Sequence, residues 1–93
     1  MEEIEFRYDT QLLLDVENPS EDIEDELDEY IRTHFKGDSL LVIADEDDNG
    51  VTTAKLHFHT NEPWKILEYC CTLGEIYDIV VEDMDRQSRG LKG

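Results

Sequence analysis

The sequence predicts an α+β domain in which one antiparallel β-sheet carries two helices on one face. Residues 4–14 and 51–59 alternate apolar and polar side chains with a period of two, which is typical of strands with one buried face. Residues 19–36 and 63–73 place apolar side chains at helical spacing instead. Asn49-Gly50 is a strong signal for a hairpin turn between two strands. The order of elements is therefore β-α-β-β-α-β.

The first strand is predicted from Ile4 to about Asp15. Its alternation places Ile4, Phe6 and Tyr8 on one face and Glu5, Arg7 and Asp9 on the other. The three leucines at positions 12–14 interrupt the alternation, so we expect a bulge near them.

The first helix is predicted to begin at Asn18-Pro19-Ser20-Glu21 and to stop at Gly37. Asn18 is suited to cap the helix, Pro19 to occupy its first position, and Glu21 to complete an arrangement similar to a capping box. The apolar positions at helical spacing are Ile23, Leu27, Tyr30, Ile31 and Phe35. Most acidic side chains of this segment fall on the opposite face, as expected for a solvated helix surface.

The second half of the chain completes the order of elements. It contains a strand at Ser39–Ala44, a return strand at Val51–His59, a helix carrying Trp64, Leu67, Cys70 and Cys71 that stops at Gly74, and a last strand at Ile76–Val81. We interpret this order as the ferredoxin-like βαββαβ topology, with a four-stranded antiparallel sheet and both helices on one face. Residues 1–93 are expected to form a single domain, with a core at about 4–83 and a polar tail at 84–93 that frays or begins a linker.

Composition narrows the possible partners. The net charge is −17, from 25 acidic and 8 basic residues, and such a surface repels nucleic acid and anionic membranes. We therefore expect neither as a partner; the charge serves solubility or docks a basic protein. The acidic N-terminus and the lack of a long apolar run argue against a signal peptide or membrane span, and predict a cytoplasmic protein. Cys70 and Cys71 are adjacent in a predicted helix and are not expected to form a disulfide.

Two histidines form the strongest candidate site. His57 and His59 are two residues apart in a strand, so both imidazoles point to the same face. In the predicted topology the first and third strands are neighbours, which places Asp9 across from them on the sheet face away from the helices. Two imidazoles and a carboxylate suit zinc or another divalent first-row metal. Water or another chain would complete the coordination. The alternative is two histidines exposed on a sheet without any metal.

Several segments resemble a known family. They are Gly37–Ile43, Lys55–Pro63, Leu67-Glu68-Tyr69, Gly74-Glu75, and Val81–Met84 together with Gln87. Over Tyr8–Gln87 the chain resembles the middle domain of the bacterial fatty acid kinase catalytic subunit, which belongs to the dihydroxyacetone kinase-like group. The histidine-containing segment is the most specific part of this resemblance.

The resemblance implies a domain of a larger kinase that phosphorylates a fatty acid presented by a separate carrier protein. It implies that the nucleotide is held by another, helical domain, so no nucleotide is expected here. It also implies a metal site built from the two histidines of the His-x-His-Thr-Asn motif, matched by His57 and His59, and a cysteine in the first strand. This chain has Asp9 at the position of that cysteine, which replaces a soft thiolate with a harder oxygen.

We therefore expect a non-catalytic accessory domain that supports domain packing, self-association as a homodimer, or docking of the carrier protein, with zinc as the candidate structural metal. The chain by itself is not expected to be an enzyme. The alternative is a stand-alone small metal- or ligand-binding regulatory module, by analogy with other ferredoxin-like domains. A third hypothesis, hydrolysis by a metal-bound water at the histidines, is disfavoured by the small size of the chain.

Overall fold

The computed structural model describes residues 4–93, which form four strands and three helices. In chain order these are β1 (Tyr8–Val16), α1 (Ile23–His34), β2 (Gly37–Glu46), β3 (Thr52–Thr60), α2 (Pro63–Cys71), β4 (Gly74–Asp83) and α3 (Met84–Ser88). No helix within residues 4–93 is long and apolar enough to cross a membrane.

The four strands form one sheet in the order β2-β3-β1-β4. All neighbouring pairs are antiparallel, so β1 and β3 lie in the centre and β2 and β4 form the edges. Helix α1 packs against β2, and α2 packs against β4 and β1. The predicted α+β class and the ferredoxin-like order of elements are confirmed.

The core lies between the two central strands and the helices. Every even-numbered residue of β1 from 10 to 16 is buried, as is every even-numbered residue of β3 from 54 to 60. The helices contribute Leu27, Ile31, Ile66 and Cys70 to the same core. Tyr8, Leu56 and Phe58 thus share the helix-covered face, as their parity predicted, while Asp9, His57 and His59 lie on the opposite face, which we call the open face.

The bulge lies in a different strand from the one predicted. The alternation of β1 continues unbroken through the three leucines, with Leu12 and Leu14 buried and Leu13 half-buried on the open face. The register against β4 shifts between Gln11 and Leu13, which pair with Val80 and Tyr77 respectively. β4 therefore carries the extra residue, and at this point Asp78 has a positive φ of 48°.

The first strand begins four residues later than predicted. β1 starts at Tyr8 rather than Ile4, because the side chain of Asn61 bonds to the preceding backbone. The Arg7 amide donates to Asn61 Oδ1 at 2.8 Å, and Asn61 Nδ2 donates to the Glu5 carbonyl at 3.0 Å. An amide side chain thus replaces the sheet hydrogen bonds at this end, and Phe6 lies outside the strand.

The first helix also begins later than the sequence indicated. β1 runs to Val16, and the Glu17 amide still bonds to the Leu73 carbonyl at 2.9 Å, so the chain has not yet turned at Asn18. Asn18 takes a positive φ of 50° in the turn instead of capping the helix. Helix α1 starts at Ile23, and its N-cap residue Asp22 makes no side-chain capping bond.

Gly37 begins β2 instead of ending a helix, since α1 ends at His34. A Cβ atom at position 37 would lie closer than 3.0 Å to the His59 carbonyl oxygen and to the ring of Phe58. Glycine is therefore required by the close approach of β2 to β3, because no side chain fits between them.

The second helix buries a different set of residues from the predicted one. Pro63, Ile66 and Cys70 are buried in α2, whereas Trp64 is 58% exposed. The apolar spacing that included Trp64 was wrong because the helix begins at Pro63, and this start turns the indole away from the sheet.

Part of the expected polar tail is helical. Asp83 caps the five-residue helix α3 by accepting a hydrogen bond from the Arg86 amide at 3.0 Å. Arg7 Nε donates to the same carboxylate at 2.8 Å, and the Met84 amide donates to the Arg7 carbonyl at 2.9 Å. The hydrogen bond from Arg7 is the main reason that the pKa of Asp83 is lowered. These bonds anchor α3 to the start of β1, so residues 84–88 form a helix where the sequence predicted a fraying tail.

Candidate metal centre on the open sheet face

The two central strands bring the three predicted ligands together on the open face. In the β1–β3 register, Asp9 pairs with His59 and Gln11 pairs with His57. Cross-strand partners of an antiparallel pair point to the same face, so Asp9 stands beside both imidazoles. The donor atoms of Asp9, His57 and His59 all lie within 4.8 Å of one another.

Both imidazoles face the same carboxylate oxygen. His57 Nε2 lies 2.9 Å from Asp9 Oδ1, and His59 Nε2 lies 3.9 Å from that oxygen. The two rings meet edge to face, with centroids 4.8 Å apart. One carboxylate oxygen and two Nε2 atoms therefore converge on a common point.

A backbone carbonyl determines which ring nitrogen of His57 is free. His57 Nδ1 lies 3.1 Å from the Ser39 carbonyl oxygen. A carbonyl only accepts hydrogen bonds, so Nδ1 carries the hydrogen in this contact. The Nε2 atom that faces Asp9 then either carries a second proton, which makes an imidazolium–carboxylate pair, or offers its lone pair to a cation. A carbonyl acceptor behind a metal-binding histidine is a common way to fix this tautomer.

Two further polar side chains support the cluster. Asp38 Oδ1 lies 3.4 Å from His59 Nδ1, on the far side of the ring from Asp9. Gln11 Nε2 contacts both Asp9 oxygens, at 3.3 Å and 3.4 Å. Neither residue was predicted from the sequence. Gln11 follows Asp9 by two positions, so strand parity could have found it; Asp38 is brought to His59 by the β2–β3 register, for which the sequence carries no signal.

The donor set fits a divalent first-row metal. Two imidazole nitrogens and a carboxylate oxygen are ligands that zinc accepts at about 2.0–2.2 Å, and tetrahedral coordination leaves a fourth position. The side chains of His57, His59 and Asp9 are 29%, 22% and 22% exposed, so solvent reaches the cluster. A carboxylate behind His59 and an amide beside Asp9 supply the outer hydrogen bonds that such sites use.

The largest cavity within residues 4–93 lies elsewhere and does not include these donors. It measures about 420 Å³ and lies at the end of the sheet where β1 begins and α2 starts, between Phe6, Phe35, Lys36 and Lys65. Acidic side chains at positions 5 and 62 also line it, so its charges nearly cancel. We give more weight to the metal cluster, because its donor atoms converge and those of the cavity do not.

Comparison with known proteins identifies the family. Residues 5–91 match the family of the FakA-like middle domain, which is named after fatty acid kinase. The chain is 35% identical over 86 residues to Protein YloV of Bacillus subtilis (strain 168), an alignment that covers 92% of this chain and 14% of that protein. It is 43% identical over 53 residues to an uncharacterized protein of Staphylococcus aureus (strain USA300), covering 57% of this chain and 9% of that protein.

The chain thus spans only a small part of the length of these relatives. The matched range contains every strand and helix of the fold and all three residues of the candidate metal centre. The resemblance noted in the sequence is confirmed: the chain belongs to the FakA-like fatty acid kinase family and corresponds to its middle domain.

Proposed function

We propose that this chain is a non-catalytic accessory domain of a fatty acid kinase-like protein, and that it holds a structural divalent metal, zinc, at Asp9, His57 and His59. The open face provides its contact surface for kinase domains, for the fatty-acid carrier protein or for a second copy. The family match supports the setting, since the family is that of a middle domain from a fatty acid kinase.

The convergence of three donor atoms within 4.8 Å is the observation that carries the metal proposal. Asp9 belongs to β1, and both histidines belong to β3, so the set bridges the two central strands. A bound zinc ion would supply a cross-link between these strands. The residues contribute the rest: the Ser39 carbonyl fixes the His57 tautomer, Asp38 orients His59, and Gln11 orients the Asp9 carboxylate.

Metal analysis tests this proposal directly. The purified 93-residue chain is expected to retain about one zinc per chain after supply of the ion and removal of the excess, measured by elemental mass spectrometry. The His57→Ala/His59→Ala variant is expected to retain none, while His34→Ala serves as the matched control, because His34 bonds to the Tyr30 carbonyl in α1, away from the cluster. Wild-type chain without stoichiometric metal would contradict the metal site.

The stand-alone regulatory module remains a second candidate, favoured by the partial exposure of the three donors. A sensor exchanges its ion, whereas a structural site holds it. Competition with chelators of graded affinity separates the two: release at a micromolar free zinc level would support sensing, and retention below the nanomolar range would support the structural role.

The non-catalytic role has its own test. The chain alone, with ATP and an acyl substrate, is expected to transfer no phosphoryl group at any metal level. Transfer above a heat-inactivated control, retained through repurification and lost in the His57→Ala/His59→Ala variant, would overturn the accessory role.

A further inference from the structure

The open face has a regular pattern of charge that the metal cluster does not explain. The strand registers place sixteen side chains in four rows that run across the strands. The two outer rows are acidic and contain Asp38, His59, Asp9 and Glu82 at one end, and Asp45, Thr53, Asp15 and Glu75 at the other. The two middle rows contain Leu41, His57, Gln11 and Val80, followed by Ile43, Lys55, Leu13 and Tyr77.

The middle of the face is apolar and exposed. Leu41 is 51% exposed, Ile43 46%, Val80 40% and Tyr77 36%, while Leu13 is half-buried between them. A shallow hollow of about 220 Å³ lies beside Leu13, next to Gln11 and Lys55. Contiguous exposed apolar residues with a polar rim are typical of protein contact surfaces.

The spacing of the rows sets the dimensions of an occupant. Residues two apart in a strand are separated by about 6.8 Å, so the outer rows lie about 20 Å apart. An α-helix rises 1.5 Å per residue, so about 13 or 14 helical residues cover this distance. A helix laid along the strands would thus place one contact on each acidic row and an apolar stripe between them.

Charge selects among possible occupants. Each outer row carries three carboxylates, and Lys55 is the lysine or arginine among the sixteen positions. Two copies of the chain, each with a net charge of −17, would repel each other when such faces meet. Basic side chains that bracket an apolar stripe are complementary to the face in both charge and position.

We infer that the open face is a docking site for an amphipathic helix of a partner protein whose basic residues are spaced 13 or 14 positions apart and flank an apolar stripe. The inference rests on the proposed accessory function and names the partner class of its contact surface. Apolar contact supplies the adhesion, and the two acidic rows set the position of the helix along the strands.

A designed 18-residue helical peptide tests the pattern, with leucines at helical spacing between lysine pairs placed 14 positions apart. Two control peptides have the same composition of apolar residues: one replaces the lysines with glutamates, and one moves the lysines to the middle. Binding to the 93-residue chain is measured by fluorescence anisotropy. We expect the first peptide to bind at least tenfold more tightly than either control, and to lose affinity as the salt concentration rises.

Protein variants locate the binding site. Ile43→Ser is expected to weaken binding about tenfold without unfolding the chain, because Ile43 is half exposed. Asp45→Asn with Glu75→Gln is expected to weaken binding and to reduce its salt dependence, since these residues belong to one outer row. Asp25→Asn with Glu68→Gln removes the same charge from exposed positions of the helices and is expected to change neither.

Three results would overturn the inference. They are equal binding of all three peptides, equal loss of affinity in the open-face and helix-surface charge variants, or a dimer of the chain that Ile43→Ser dissociates, which would assign the face to a second copy. Zinc content and phosphoryl transfer are measured on the same preparations. Failure of peptide docking with zinc retained and no transfer would reject the partner class and leave the accessory role standing.

Discussion

Replacing Gly37 with alanine is expected to destabilise the domain more than any exposed substitution. The new Cβ would lie closer than 3.0 Å to the His59 carbonyl oxygen and to the Phe58 ring. Neither neighbour can move freely, because the carbonyl belongs to the backbone of a central strand and Phe58 is only 2% exposed in the core. β2 must therefore shift away from β3.

The size of the effect follows from overpacking. Extra methyl groups in closely packed sites cost about 1–3 kcal/mol, and a backbone contact favours the upper end of that range. For 93 residues the unfolding entropy is about 0.2 kcal/mol/K, so the melting temperature should fall by about 10–15 °C for a loss of 2–3 kcal/mol.

Thermal and urea unfolding monitored by circular dichroism measure the loss. Gly50→Ala is the comparison, because Gly50 has a positive φ of 79° but a Cβ there would meet only Glu46 Oε1, at 3.8 Å. That variant is subject to backbone strain of about 1–2 kcal/mol without a steric contact. If Gly37→Ala melts at the wild-type temperature, or above Gly50→Ala, then β2 does not approach β3 as closely as described.

Three other predictions test the core and its charges. Cys71 is exposed, whereas burial raises the pKa of Cys70 to about 12, so a thiol reagent at pH 8 should modify one cysteine in the folded chain and two after unfolding; two fast reactions would contradict this. Thr10→Val should stabilise the chain by about 1 kcal/mol, because its buried hydroxyl has no partner within residues 4–93, while Thr60→Val should cost about 1–2 kcal/mol in urea unfolding, because its hydroxyl donates to a backbone carbonyl; equal effects would refute the assignment. The lowered pKa of Asp83 stabilises the fold above the unfolded value of about 3.9, and this contribution is lost as the pH falls through the folded pKa, so Asp83→Asn should have a flatter acid dependence in urea titrations at pH 3–7; parallel curves would contradict it.

The positions of strand residues could be predicted from sequence better than the ends of the elements. Parity assigned Tyr8, Leu56 and Phe58 to the helix-covered face, because side-chain direction in a strand depends only on the odd or even position. The start of α1 was wrong because Asn18 and Pro19 carry a local capping signal that says nothing of how far β1 continues. The backbone bond between Glu17 and Leu73, which joins distant segments, delays the helix.

The candidate site shows the same division. His57 and His59 are fixed on one face by their spacing alone, and the order of elements makes β1 and β3 neighbours. The partners Asp38 and Ser39 come from the register between β2 and β3, which shifts between Asp38 and Leu41. No local pattern encodes that shift, so Asp38 could not be assigned to His59 from sequence.

Periodicity and residue type, which are local properties, were sufficient for the α+β topology, the two faces of the central strands and the chemical nature of the three donors. The distances within the Asp9–His57–His59 cluster, the place of the β4 bulge and the four rows of the open face came from the three-dimensional arrangement alone. They depend on the register between strands that are far apart in sequence, and register is selected by the packing of the whole core and not by any one segment.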